Sequence, residues 1–172
     1  MDAPEDLRVT RPRDLEPWGD DELVWLALSR VWDAAVEPGE RRIHRALPAS
    51  VTDGQAALYA LWWLIAEINE GGFHQFLWSS AGGLAKGALE ALLLVGAREP
   101  ARLLAECLDA LPAGTLLSDP AGRQEALSAL EGPGPDLFAG KDLAFHAAAG
   151  SRTTIRLAAA WVRAHPEEFF SG

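Results

Sequence analysis

The stretch that most limits what this chain can become runs from Asp53 to Ser80, DGQAALYALWWLIAEINEGGFHQFLWSS. From Ala56 to Ile68 every residue except Glu67 is apolar, counting Tyr59. Ala57, Leu61, Leu64, Ile65 and Ile68 recur at helical spacing on one face, and Leu58, Trp62 and Ala66 fill a second. A helix that is apolar nearly all round must be covered on most sides. The run rises through roughly 20 Å at about 1.5 Å per residue, and a bilayer requires about 20 apolar residues. It therefore reads as the buried central helix of a bundle, with Asp53 as N-cap and Thr52 as the alternative.

The end of that helix is written as plainly. Gly71 and Gly72 can adopt backbone conformations closed to other residues, and they turn the chain sharply. Phe73, Phe76, Leu77 and Ser80 suit a second short helix beyond the break. Glu67, Asn69, Glu70, His74 and Gln75 crowd the corner. A carboxylate there would sit well at the start of the second helix, where unpaired amides favour negative charge. The polar set can either brace the corner or form a shallow site from Glu67, Asn69, His74 and Gln75.

The remaining chain reads as more helix. Asp20 opens the first, with Asp21 and Glu22 in its positive-end turn, and Pro38-Gly39 ends it. A short piece from Arg41 to Leu47 follows. Leu84 to Gly96 forms another helix, Glu99-Pro100 starts the next, and Asp119-Pro120 starts one that reaches Glu131. Gly132-Pro133-Gly134-Pro135 is a breaker, a short helix falls within 137–149, and Arg152 to Ala164 forms the last. No alternating strand pattern occurs. The expected fold is all-α, a single-domain helical bundle of about six to eight helices around a buried central helix. Residues 1–19, with three prolines among many charges, read as an irregular arm, and 20–172 as the domain.

Charge narrows the partners. With 25 acidic and 15 basic residues the formal charge is −10, so phosphates and anionic lipid are repelled and basic partners attracted. Most of the excess, −7, lies in the first 72 residues. Asp20, Asp21, Glu22, Asp33, Glu37 and Glu40 are the candidate acidic surface. The thirteen Arg to two Lys, amid many Ala and Gly, fit a GC-rich bacterial genome. The lone Cys107 excludes an internal disulfide and shares an apolar face with Leu103, Leu104, Leu108 and Leu111, which suits a cytoplasmic protein. No direct nucleic-acid contact, membrane anchor or cofactor is implied, and a homodimer is an open alternative.

Searching for chemistry yields no catalytic residue. His44, His74, His146 and His165 lack metal-ligand spacing, so no metal site is expected. Ser79-Ser80-Ala81-Gly82-Gly83 lacks the strand and elbow of a nucleophilic serine, and Ser80 reads instead as an N-cap. Gly82-Gly83 before Lys86 lacks the phosphate-loop spacing.

At the corner, Glu67, Ile68, Asn69, Gly71, Gly72, Phe73, Gln75 and Phe76, followed by Ser79-Ser80 and later Gly96-Ala97, resemble a DNA-mimic protein family. The tail AWVRAHPEEFF is similar to that family's final helix, and the likeness extends over roughly Leu23 to Phe170. The resemblance implies a helical scaffold whose carboxylates stand in for phosphates and occupy the DNA-binding face of a transcription regulator. Two other roles stay open. One is an immunity or adaptor module that uses an apolar groove near Phe73, Phe76 and Trp78. The other is a small enzyme with Glu67, His74 and Gln75 at the corner.

Overall fold

The computed structural model describes residues 12–35, 47, 49–130 and 137–170. Among them are eight α-helices and no strand: α1 (Asp20–Ala35), α2 (Asp53–Trp78), α3 (Ala85–Val95), α4 (Arg98–Asp109), α5 (Pro120–Leu130), α6 (Ala139–Ala147), α7 (Gly150–Ala164) and α8 (Pro166–Phe170). Two 3-10 turns, Pro12–Leu15 and Ser80–Leu84, complete the set. The all-α bundle that the sequence leads one to expect is the fold observed.

The apolar run becomes the axis of the bundle. Helix α2 packs against α1, α3, α5, α6, α7 and α8. Leu58, Leu61, Leu64, Ile68, Phe73, Phe76 and Leu77 are almost wholly buried, each worth about 1.5–3 kcal/mol relative to exposure. The face holding Trp62 meets α1 through rings: Trp25 lies 5.5 Å from Trp62, and Trp32 stacks at 5.8 Å on Trp63. None of the seven tryptophans is fully exposed. Cys107 is buried among its leucine neighbours.

Local signals placed most helix ends. Gly96 adopts φ 81°, ψ 19° at the end of α3, and Ala97 N–H donates to Leu92 O at 2.8 Å, the hydrogen-bond pattern that closes a helix with a left-handed residue. Asp119 Oδ1 accepts from Ala121 N–H at 3.2 Å ahead of α5.

Two caps differ from expectation. Thr52, not Asp53, is the N-cap of α2. Its hydroxyl oxygen accepts from Gln55 N–H at 3.1 Å, Gln55 Oε1 accepts from Thr52 N–H at 3.1 Å, and Thr52 donates to Glu168 O at 2.6 Å. That reciprocal box outcompetes Asp53, which falls in the first turn. Likewise Ser79, not Ser80, accepts from Ala81 N–H at 3.2 Å at the start of the second 3-10 turn.

Helix α8 closes on the start of α2. Gln55 Nε2 donates to Phe169 O at 3.2 Å, and Gly54 N–H to Glu168 Oε2 at 3.3 Å. Within the expected arm, residues 1–11 lie outside the described residues. Pro12–Leu15 forms its turn with Leu15 fully buried. The expected helical piece at 41–47 lies outside the described residues except for Leu47.

Candidate functional site

The corner in α2 is a true break. Gly71 has φ −159°, ψ 24°, and Gly72 has φ 74°, ψ −171°, a region open essentially to glycine. The chain therefore runs as two arms, 53–70 and 73–78. The second arm starts on a carboxylate, as the amide-rich helix start favours, but the carboxylate comes from α6. Asp142 Oδ1 accepts from Phe73 N–H at 2.8 Å. A Cβ on Gly72 would lie 2.3 Å from Asp142 Oδ2. Gly72 is thus needed both for its torsion angles and for the space it leaves.

The other corner residues divide between neighbours. Glu67, only 2 % exposed, accepts from Gln75 Nε2 at 2.9 Å, so a buried carboxylate has a donor across the break, as burial demands. A Cβ on Gly71 would lie 2.7 Å from Gln75 Cβ. Asn69 is exposed, and its Oδ1 accepts from Ser151 Oγ at 2.8 Å. His74 is half-buried and stacks on Trp78, with centroids 5.6 Å apart. The structure therefore joins Glu67 to Gln75, ties Asn69 to α7 and lays His74 on the second arm. Phe73 and Phe76 are fully buried, so the apolar groove expected at Phe73, Phe76 and Trp78 is corrected. Those two phenyl rings belong to the core, with Phe73 edge-on to Phe145 at 5.8 Å, and Trp78 packs half-buried against it.

The far end of the second arm leaves carbonyls without helical partners, and α5 supplies their donors. Arg123 is fully buried. Its Nε donates to Leu77 O, one terminal nitrogen to Leu117 O, and the other to Ser79 O at 2.7 Å. Gln124 Nε2 donates to Trp78 O at 3.0 Å. Burial lowers the Arg123 pKa from its ordinary value, and the nearby Asp119 carboxylate acts in the opposite sense. A Cβ on Gly82 would lie 2.5 Å from Arg123 Nε. Sequence reading passed over this arginine, because arginine abundance carries no local signal. The one hint was its place a turn before Leu127 on the inner face of α5.

The acidic candidates behave unequally. Asp21 and Glu22 are exposed, and Glu22 Oε2 accepts from Gly19 N–H at 3.1 Å. Asp20 is paired: Arg163, from the last turn of α7, reaches its Oδ1 at 2.7 Å and donates to Trp18 O at 2.8 Å. Asp33 falls within α1, but its side chain is not among those described. Glu37 and Glu40 lie outside the described residues. Helix α8 packs on α1, α2 and α7, and Asp53 at the start of α2 and Glu167 in α8 are exposed as Asp21 and Glu22 are. Among the described residues no group of three or more His, Cys, Asp or Glu could hold a metal ion, and no helix is long and apolar enough to cross a membrane.

Comparison with known proteins adds one finding. The family model described as DMP19-like protein matches residues 49–165. No curated protein and no solved structure matches the chain. The matched segment holds the glycine corner and α2 through α7, starts after α1 and stops before α8. A match over more than half of the sequence, which takes in the glycine break, means that this chain belongs to the DMP19-like protein family.

Proposed function

We propose that this chain is a non-enzymatic binding protein of the cytoplasm that presents carboxylates in place of DNA phosphates to the basic DNA-reading face of a regulator. Family membership carries the proposal, since the corner motif resembles that of DNA mimics and the matching family model spans the same corner. Exposed carboxylates support it: Asp21, Glu22, Asp53 and Glu167 are exposed at helix starts. Duplex DNA offers about one charge per 1.7 Å of axis, and basic readers are steered by that field. A few fixed carboxylates on a chain of net charge −10 would attract the same readers.

The experiment is competition at two salt concentrations. A panel of basic helix-turn-helix regulators is bound to labelled operator DNA, and the protein is added at about 50 mM and about 300 mM salt. DNA should be released from at least one regulator at the lower salt, and release should fade at the higher. The double variant D21K/E22K should lose the effect. Full retention of DNA across the panel at low salt would sink the proposal.

A further inference from the structure

Helix α3 fills the core with Ala88, Ala91 and Leu92 on its inner side, yet its outer side is not simply polar. Leu93 is 61 % exposed and Leu94 60 %. Leu116, 67 % exposed, lies at the other end of the same side, since the carbonyl oxygen of its neighbour Leu117 is 3.7 Å from where a Cβ on Gly83 would be. Between these ends stand Lys86 and Glu90, one helical turn apart and both exposed. Among the described residues neither forms an ion pair. A single exposed leucine needs no explanation, but three at the two ends of one face, with opposite charges between them, mark a contact surface.

We propose that this face is a self-complementary contact with a second copy of the chain, in which the two α3 helices lie antiparallel. A two-fold axis at the level of Ala88 sets Lys86 of each copy opposite Glu90 of the other. The same register sets Leu93 opposite Gly83, because both pairs are centred on Ala88. Gly83 is exposed and has no side chain to obstruct the leucine, and Leu116 stands beside it as an apolar neighbour. One register thus matches charge with opposite charge and leucine with open surface, twice over. A parallel pair would instead bring like charges together, which is costly. Within one helix, Lys four residues before Glu is the weaker order for an ion pair, so both charges remain available to the other copy. A contact made by one helix and one loop lies at the small end of the interface range, below about 1,200 Å², so the dimer is reversible. The acids invoked for regulator binding take no part in it, and the two proposals stand or fall separately.

The test is sedimentation equilibrium of the full-length protein from about 5 to about 500 µM, where a reversible dimer follows mass action. The wild-type mass should rise toward twice that of one chain, and L93D/L94D should stay at the mass of one chain. K86E and E90K should each weaken association at least about fivefold, and K86E/E90K, which restores opposite charges across the axis, should return it to within about twofold of wild type. The charge variants decide the matter even if L93D/L94D folds poorly by circular dichroism. A wild type that stays monomeric throughout, a folded L93D/L94D that still dimerises, or a double charge swap that associates no better than the single ones would each overturn the proposal.

Discussion

The carboxylate of Asp142 lies 2.8 Å from the backbone nitrogen of Phe73, across 69 positions of sequence. It occupies the space that any side chain on Gly72 would take. The glycine pair at the corner thus has a physical meaning: Gly72 makes the turn, and its missing Cβ admits the acid that starts the next helical arm.

Replacing Gly72 should therefore be severe. G72A places a Cβ 2.3 Å from Asp142 Oδ2 at φ 74°, ψ −171°, adding backbone strain to the displacement of a capping acid. We expect a loss of about 3–5 kcal/mol in urea unfolding. A loss below about 1 kcal/mol would mean that the corner relaxes freely.

Asp142 itself separates charge from hydrogen bonding. D142N keeps an oxygen for Phe73 N–H and should lose about 0.5–1 kcal/mol, the value of a negative charge at a helix start. D142A strands that amide and should lose about 1–3 kcal/mol. Equal losses in the two variants would show that the acid acts by charge alone.

Arg123 should not tolerate lysine. Three of its nitrogens serve Leu77 O, Leu117 O and Ser79 O, a planar fork that an ammonium cannot copy. R123A should cost about 3–5 kcal/mol, because buried carbonyls lose their donors and the side chain leaves a void. R123K should recover less than half of that in thermal unfolding. Full recovery would reduce the arginine to a simple charge.

Tyr59 makes a prediction about alkaline pH. Burial pushes its hydroxyl from 10.0 up to about 12, so the fold favours the protonated phenol. The associated stability is fully present below pH about 10 and is lost as pH rises through about 12, amounting to about 2–3 kcal/mol. Compared with wild type, Y59F should show a shallower fall in stability across that window, measured by denaturant titration. Parallel curves would exclude Tyr59 as the source.

How much was legible beforehand depended on distance along the chain. The central helix, the glycine corner, the end of α3 at Gly96 and the Asp119-Pro120 start were all readable, because each is decided within a few residues by apolar periodicity, backbone freedom or a local cap. The choice of Thr52 over Asp53 was also local, written in the Thr52-x-x-Gln55 capping box; what was not readable is that Glu168 and Phe169 close on that turn from 114 to 116 positions away. The corner's polar residues could be named from sequence, but their partners could not. Asp142 at Phe73, Arg123 at Leu77 and Arg163 at Asp20 span 69, 46 and 143 positions. The amino-acid order alone determined which segments coil and where they break, since those are short-range steric and hydrophobic effects. Only packing decided which acid caps the corner, which arginine is buried and which carboxylate is ion-paired, because a hydrogen bond between distant segments forms only after burial has brought them together.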